Sequence, residues 1–420
     1  MGGYKKPPVL AIADLGLKLK DLRGNPIEQM ARYGARLVLT ACLEAEVTEF
    51  LSRERYEHTP EGRGYRNGHR KRGVTCGLGT IPIEYPKVAD TEGTFESALL
   101  RAWQRKSEEV VKTLPSLYIE GLSTRDFDRG MKPLWEEAGV SRSTVSRANE
   151  SIRGAFKKWR QRDLSQEDVL FLFLDGIYEG VRGGTDEKEA ILVAHGLKAD
   201  GKRVLLGVYL GVHEGTESWK LALDDLKIRN FRTPILVISD GSPGLIQAVK
   251  QAFPGVPRQR CVVHRTRNVL ARVPRADQRR IRKDLNRIFH ASCLKEALEA
   301  AEAFVSKYQE GFPSACEILG RDLEDCLTFY RFPQNFWKRI RNSNSLERMF
   351  REVRRRTRVV GRFPNELSAL SLIWSVMDQQ AGKWRGVRMK PEWAVAVREV
   401  PENLRKEPIV IRGFEEVLAS

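Results

Sequence analysis

Two aspartates follow apolar runs of the kind that form buried strands. The run Val169–Gly176 (V-L-F-L-F-L-D-G) contains Asp175 near its end, and Pro234–Ser239 leads directly into Asp240. An Asp-Gly pair after such a run can simply open a turn. It can also deliver a carboxylate from a rigid strand, which is a common way to build an active site. The order of the surrounding elements decides between these two interpretations.

The segment between and around the two aspartates predicts a single sheet. After the first run, the predicted order is strand, strand, helix, strand and helix, over Glu189–Gly196, Arg203–Val212, Glu217–Lys227, Pro234–Ser239 and Leu245–Phe253. The first three strands form an antiparallel meander, and the strand–helix–strand connection makes the fourth strand parallel to the first. We therefore expect strands one and four to be neighbours, with Asp175 and Asp240 side by side at one edge.

Two adjacent carboxylates repel each other unless a cation lies between them. Their hard oxygen atoms suit magnesium or manganese. Two such ions, about 3.5–4 Å apart, can activate an attacking oxygen and stabilise a leaving oxygen in phosphoryl transfer. We therefore expect two Mg²⁺ (or Mn²⁺) ions, bound by Asp175, Asp240 and a third acid.

The third acid is predicted at the start of a helix far downstream. Ser343 or Ser345 can cap this helix, and Gly361 can end it. Its apolar stripe consists of Leu346, Phe350 and Val353. Glu347 lies in the first turn, where a carboxylate also simply suits the helix dipole. Glu352 is the alternative, but it points to a different face among arginines, and we choose Glu347.

The same helix carries the densest cluster of basic residues in the chain. The cluster consists of Arg348, Arg351, Arg354, Arg355, Arg356 and Arg358, followed by Arg362. Arginines beside a two-metal site can bind phosphate oxygens in pairs. A solvated basic face is the alternative, but little acid is mixed into the cluster. We predict that these arginines contact phosphates.

Composition and charge limit the class of protein. The chain has 420 residues, 41% of them apolar, which suffices for two or three domains with proper cores. A formal charge of +17, from 72 basic and 55 acidic residues, favours a polyanionic partner. The six cysteines form no C-x-x-C pair, which indicates reduced thiols. No run suggests a membrane span or a signal peptide, so we expect a cytoplasmic protein without membrane contact.

Several blocks together resemble the Mutator-type transposases of bacterial insertion sequences. They are D-G-I-Y, V-I-S-D-G, Q-R-C-V-V-H and N-S-L-E-R…R-R-R-T-R-V-V-G-R-F-P-N, in the right order between about Glu44 and Trp374. The resemblance implies an α/β fold with a ribonuclease-H-like mixed-sheet catalytic domain, interrupted by an all-α insertion. It also implies that Asp175, Asp240 and Glu347 form an Asp-Asp-Glu metal triad, in agreement with the choice made from strand order and helix start.

The N-terminal region is predicted to be mainly helical and to bind DNA. Residues 123–150 predict two helices, the first capped by Ser123 and the second, after a turn at Gly139, by Ser141 or Ser143. A helical hairpin is the commoner interpretation. The basic charge and the resemblance favour a helix-turn-helix whose second helix enters the major groove. Its candidate DNA-contacting residues are Arg142, Thr144 and Arg147. The basic stretch Gly62–Gly73 suits phosphate contacts or a solvated loop equally.

Cys261 and His264 form a C-x-x-H pair just after the second aspartate. Structural zinc needs four ligands, and no second pair at suitable spacing is present. In the resembling family this pair lies close to the catalytic centre. We therefore expect His264 to touch the scissile phosphate or to order a neighbouring acid, while Cys261 can equally play a packing role.

The predicted domain organisation has six parts. A helical and hairpin region (1–104) and a helix-turn-helix-like region (105–160) are followed by the first part of the core (165–265), an all-α insertion (266–340), the final catalytic and packing helices (341–380) and a tail (381–420). The predicted function is a DNA transposase that binds the terminal inverted repeats of its insertion sequence and cuts and joins DNA strands. Its partners are double-stranded terminal and target DNA and, by resemblance, further copies in a homodimer or larger assembly. The alternatives are a catalytically inactive DNA-binding derivative and a ribonuclease-H-like nuclease.

Overall fold

The computed structural model describes residues 26–57, 64–91, 93–100, 115, 119, 142–179, 189–211, 215–360, 363, 365–382, 388–400, 404 and 409. The chain divides into two compact units. The first comprises Met1–Tyr118 and Leu122–Asn149, and the second comprises Ile119–Gly121 and Glu150–Ser420.

The first unit contains one long helix and a β-hairpin. Helix α1 spans Pro26–Leu51, and strands β1 (Tyr65–Cys76) and β2 (Gly79–Ala89) pair antiparallel. The basic stretch Gly62–Gly73, which was predicted to contact phosphates or to form a solvated loop, lies within β1 from Tyr65 onward. Alternate side chains of β2 enter the core, while most of β1 stays exposed. The core consists of Leu43, Val74, Ile81, Ile83, Tyr85 and Leu100.

The second unit is built on a five-stranded mixed sheet. Helix α2 (Arg142–Arg160) belongs to this unit from Glu150 onward. The elements that follow, up to the last strand, are β3 (Val169–Glu179), β4 (Glu189–Lys198), β5 (Arg203–Gly211), α3 (Thr216–Ile228), β6 (Leu236–Ser239), α4 (Pro243–Ala252) and β7 (Arg258–Arg260). The strand order is β5-β4-β3-β6-β7. Strands β3, β4 and β5 pair antiparallel, whereas β6 is parallel to β3 and β7 to β6. The predicted meander and the predicted neighbours, strands one and four, are confirmed.

The apolar run of β3 is covered on both faces. Leu172 and Leu174 belong to the core cluster that also contains Trp219 of α3. Phe171 points to the other face, where its ring centroid lies 5.8 Å from that of Phe332 and 5.3 Å from that of Phe336. Two-sided burial explains why this strand is a continuous apolar run rather than an alternating one.

Two features of the sheet differ from the prediction. Strand β3 does not end at Gly176 but continues to Glu179, because its far end still pairs with β4. Strand β7 was not predicted, since Arg258–Arg260 is three residues long and contains no apolar side chain. Asp175 therefore lies within a strand, although the β6 side of that strand is already open at its position.

The chain between β7 and the final helices is helical, as predicted for Asn268–Lys338. Its helices are α5 (Val262–Leu270), α6 (Arg275–Phe289), α7 (Leu294–Tyr308), α8 (Pro313–Arg321), α9 (Leu323–Leu327), a 3₁₀ turn (Thr328–Arg331) and α10 (Gln334–Ile340). Ion pairs tie this segment back to the sheet, because Asp322 binds both Arg260 and Arg265.

Three helices complete the second unit, namely α11 (Asn344–Val360), α12 (Glu366–Gly382) and α13 (Pro391–Glu399). The predicted packing helix is confirmed: Ala369–Met377 of α12 is buried without interruption. The segment predicted as a tail (381–420) contains α13, where Arg398 donates to both carboxylate oxygens of Asp168 at 2.6 Å. Among the described helices, none is both long and apolar enough to cross a membrane.

Candidate active site

The parallel pairing of β3 with β6 places the two aspartates. The register ends with Leu174 opposite Ser239, one residue before Asp175 and one before Asp240. Both carboxylates therefore leave the sheet at the same edge. Asp175 is 5% exposed, and its Oδ1 accepts a hydrogen bond of 2.9 Å from the backbone N–H of Gly176.

Burial makes the charge on Asp175 costly. Burial is the main cause that raises the pKa of this carboxyl group to about 7, and the nearby charge of Asp240 acts in the same direction. The charge of His264 and a hydrogen bond from Ser343 oppose the rise. A carboxyl group in this setting is ready to accept a cation, because a cation would offset both burial and repulsion. Asp175 thus interacts electrostatically with both Asp240 and His264.

A tight turn fixes Asp240 at the start of α4. Oδ1 of Asp240 accepts a 3.0 Å hydrogen bond from the backbone of Ser242, whose own hydroxyl caps α4 by accepting from Leu245 at 3.4 Å. Gly241 between them has φ +87°, and a Cβ there would lie 2.6 Å from the guanidinium of Arg260. Glycine is therefore required, because the backbone is left-handed and the space is filled.

The segment after β7 brings Cys261 and His264 to the same edge. The backbone N–H of Cys261 donates to the carbonyl of Ser239 at 2.8 Å. His264 has its pKa raised to about 9 by the hydrogen bond with Cys261, and by the charges of Cys261, Asp175 and Asp240, against the effect of burial. Burial alone would raise the pKa of the Cys261 thiol, but His264 lowers it. Contact between the two side chains thus shifts the pKa of each toward its charged form.

Helix α11 brings Glu347 to the site, and Ser345 anchors this helix to the sheet. The Ser345 hydroxyl accepts a hydrogen bond of 2.9 Å from Nη1 of Arg203 and lies 3.1 Å from Nε2 of His195. Glu347 directly follows Leu346, the first residue of the apolar stripe, and its Oε1 lies 3.6 Å from Nε2 of His264. The predicted stripe is confirmed, since Leu346, Phe350 and Val353 are buried.

Arg267 of α5 binds Glu347 with two hydrogen bonds. Nη1 donates to Oε1 at 2.7 Å and Nη2 donates to Oε2 at 3.2 Å. Both carboxylate oxygens therefore face a guanidinium that is itself 59% exposed. This contact was not predicted, because 80 residues separate the partners and no local pattern links them.

Ser343 is a second residue that the sequence reasoning missed. It is fully buried, hydrogen bonds through its side chain with Asp175, and donates its backbone N–H to Sγ of Cys261 at 3.4 Å. It was considered only as a possible helix cap. The neighbouring Arg341 carbonyl accepts from Val262 at 3.0 Å, so the start of α11 is joined to the start of α5.

The structure gathers four predicted residues, Asp175, Asp240, His264 and Glu347, around one edge of the sheet. Within the described ranges, however, no group of three or more His, Cys, Asp or Glu is arranged to hold a metal ion. Both carboxylate oxygens of Glu347 are instead engaged by Arg267.

The basic residues of α11 fall on two faces. Most are exposed, namely Arg348, Arg351, Arg354, Arg355 and Arg358. Arg356 is only 7% exposed, because at helical spacing it shares a face with the buried Met349 and Val353. Its contact with phosphates stays a prediction. Glu352 pairs with Arg355 at 3.1 and 2.9 Å, so it has a partner on its own helix.

The predicted helix-turn-helix lies almost entirely outside the described residues. Helix α2 begins at Arg142, which agrees with a helix start at Ser141 or Ser143. The side chains of Arg142, Thr144 and Arg147 are outside the description, as are Gly361 and Arg362.

Comparison with known proteins gives the family. The family model described as "Transposase, Mutator family" matches residues 16–386. The transposase for insertion sequence element ISRM5 of Rhizobium meliloti (strain 1021) is 34% identical over 350 residues, which cover 83% of this chain and 87% of the relative. The transposase for IS256 in transposon Tn4001 of Staphylococcus aureus is 30% identical over 379 residues, covering 86% of this chain and 95% of the relative.

Among solved structures, a chain of the Drosophila P element transposase strand transfer complex is similar over 70% of this chain and 81% of that chain, at 11% identity and a TM-score of 0.29. The sequence comparisons extend through all the blocks from which the resemblance was first inferred. The chain therefore belongs to the Mutator family of transposases.

Proposed function

We propose that this chain is a metal-dependent DNA transposase whose catalytic carboxylates are Asp175, Asp240 and Glu347. The observation that carries the proposal is the register of β3 and β6, which ends one residue before each aspartate. We further propose that the mixed sheet is a ribonuclease-H-like core and that helices α5–α10 are the all-α insertion.

The donor set fits a hard divalent cation such as Mg²⁺ or Mn²⁺. Asp175 is buried beside a second carboxylate, and its pKa of about 7 reflects burial and that repulsion. Oxygen-only donors on neighbouring strands are typical ligands of these ions. Asp175 and Asp240 would hold the metal, with Glu347 as the third donor after it leaves Arg267. When bound, two such ions activate the attacking oxygen and stabilise the leaving oxygen.

The other residues of the site position the DNA strand. His264 carries a proton at neutral pH because its pKa is raised to about 9, chiefly through its hydrogen bond with Cys261. Its Nε2–H can therefore donate to a phosphate oxygen. Arg267, released from Glu347, can bind a second oxygen of the same strand. Water is the nucleophile of the first cut and a DNA 3′-hydroxyl that of strand transfer, each displacing the leaving oxygen in line without a covalent enzyme intermediate.

The DNA itself would lie along the exposed arginines of α11 and would be recognised by α2. The formal charge of +17 supports binding to a polyanion. Arg142, Thr144 and Arg147, in the first turns of α2, are proposed to read the terminal inverted repeats. Joining two ends requires both to be held together, so we propose a homodimer or larger assembly that also binds target DNA.

The test compares Glu347→Gln with the matched control Glu352→Gln. Both glutamates lie on α11, but only Glu347 contacts His264 and Arg267. The assay measures cleavage and joining of labelled DNA that carries the ends of the element, with Mg²⁺, together with binding of the same DNA. We expect Glu347→Gln to bind normally and to lose at least about a thousandfold in cleavage, and Glu352→Gln to cut.

Other outcomes identify the alternatives. If the unaltered protein binds the ends and makes no cut, the chain is an inactive DNA-binding derivative. If it cuts branched or hybrid substrates without preference for the ends, it is a ribonuclease-H-like nuclease. Cleavage by Glu347→Gln would remove this glutamate from the catalytic centre.

A further inference from the structure

A cavity of about 380 Å³ lies beside the proposed catalytic centre, between α5, α6 and the start of α11. Part of its wall is apolar and consists of Val262, Leu270 and Phe289, which are all buried. Its size falls within the range of pockets that bind small molecules, about 300–1,000 Å³. Of the residues that line this cavity, the mechanism proposed above uses only Arg267.

Arginines supply the charge of the cavity. Arg267, Arg282 and Arg341 line it, and among the described residues no acidic side chain does. Nη1 of Arg341 donates to the carbonyl of Phe289 at 3.1 Å. Arg282 is exposed and makes no ion pair or side-chain hydrogen bond within the described part of the chain. The cavity is thus suited to an anionic ligand.

Three asparagines supply groups that can read a base. Asn286, Asn342 and Asn344 line the cavity. Oδ1 of Asn344 is buried and accepts no hydrogen bond from any described residue, and the side chain of Asn286 is likewise unpaired within those ranges. Oδ1 of Asn342 accepts from the backbone of Asn344 at 3.1 Å. Carboxamides combine a donor and an acceptor, as the edge of a nucleobase does.

We infer that the cavity receives a single nucleotide of the DNA, turned out of the base stack, and this inference rests on the proposed function. The apolar wall would cover the face of the base, the asparagines would bind its edge, and the arginines would bind the adjoining phosphates. A ligand that combines a flat apolar body, a polar edge and a phosphate fits all three features. A phosphate alone would leave the asparagines and the apolar wall without a function.

Arg267 connects the cavity to the catalytic centre. Its guanidinium lines the cavity and also binds Glu347. A nucleotide in the cavity would bring its phosphate to Arg267 and draw this side chain away from the acid. Occupation of the cavity would therefore place a neighbouring phosphodiester at the carboxylates and fix the cut at a set distance from the extruded base.

The experiment uses duplexes with the ends of the element and a single 2-aminopurine at successive positions around the cut. The fluorescence of this base rises when it leaves the stack. With the full-length protein and no divalent metal, we expect a severalfold rise at one position. We expect Arg282→Ala and Asn286→Ala to reduce this rise at least about threefold. Lys283→Ala is the matched control, because it removes one exposed charge from the same helix outside the cavity.

A second measurement separates the base from its phosphate. An abasic nucleotide at the responding position should weaken binding by the unaltered protein about tenfold and binding by Asn286→Ala very little. The inference is overturned if no position responds while the protein binds and cuts this DNA, or if Lys283→Ala reduces the rise as much as Arg282→Ala. Absence of any binding to the ends would instead overturn the proposed function together with the inference.

Discussion

The buried carboxyl group of Asp175 should make the stability of the metal-free protein depend on pH. Its folded pKa is about 7 and its ordinary value is 3.8. Between these values the folded state binds more protons than the unfolded state, so stability falls as pH rises. The contribution of this group to the free energy of unfolding is fully present below pH 3.8, declines as the pH rises to 7 and changes little above it. Asp175→Asn removes this contribution because an amide does not titrate.

The size of the effect follows from the two pKa values. At 1.36 kcal/mol per pKa unit, the rise from 3.8 to about 7 corresponds to about 4 kcal/mol. From pH 5.5 to pH 7, the range in which the protein can be compared without acid unfolding, the change is about 2 kcal/mol. The stability of Asp175→Asn relative to the unaltered protein should therefore rise by about 2 kcal/mol over this range and then level off.

The assay measures the free energy of unfolding in urea between pH 5.5 and 8.5, with a chelator present to keep the protein free of metal. Asp200→Asn is the control, because it removes an exposed carboxylate in a turn. Mn²⁺ at a hundred times its dissociation constant should then stabilise the unaltered protein at pH 8 by about 2.7 kcal/mol and Asp175→Asn by much less. If the difference in stability between Asp175→Asn and the unaltered protein does not change with pH, the reasoning about Asp175 is refuted. Equal stabilisation of both proteins by Mn²⁺ would remove it from the metal ligands.

Three further predictions concern the surroundings of the site. Arg267→Ala should tighten Mn²⁺ binding, measured by calorimetry, up to about fivefold. The substitution frees Glu347 from a partly exposed ion pair that is worth at most about 1 kcal/mol. Weaker Mn²⁺ binding by the variant would contradict this prediction. Gly241→Ala should lower the free energy of unfolding in urea by more than about 1–2 kcal/mol and should lower cleavage, because φ is +87° and the new Cβ has no space. Gly311→Ala, which places its Cβ in open space, should have neither effect. Tyr209→Phe should lower the free energy of unfolding by about 1–3 kcal/mol without altering cleavage, because the hydroxyl that donates to Asp225 at 2.7 Å is lost. Unchanged stability would contradict this prediction.

The central sheet was largely predictable because its strands are long and apolar. The run from Val169 and the next two strands of the antiparallel meander were found within a few residues, and parallel pairing with β6 followed from the intervening helix α3. What escaped prediction depends on partners rather than on local pattern. Strand β7 exists because β6 provides an edge for it, and β3 continues past Gly176 because β4 still pairs with it.

The residues of the candidate site could be chosen from the sequence, but the contacts between them could not. Asp175, Asp240 and Glu347 could be chosen because each stands where a strand or helix delivers a side chain to one edge. The bond of Ser345 with Arg203 joins residues 142 positions apart, and Arg267 finds Glu347 across 80. Such pairings are set by the packed fold, so composition and spacing along the chain contain no signal for them.

The short edge strand β7 has a consequence for how copies of the protein can associate. It offers only three residues of backbone, and its two arginines are held in ion pairs with Asp325 and Asp322. The side chain of Gln259 is also occupied, donating to the carbonyl of Cys326 at 2.9 Å and accepting from Phe329 at 2.7 Å. Short, charged and covered edges are features that prevent sheets from adding a strand of another molecule. Association through continuation of the sheet at β7 is therefore disfavoured, and an assembly on DNA would use other surfaces.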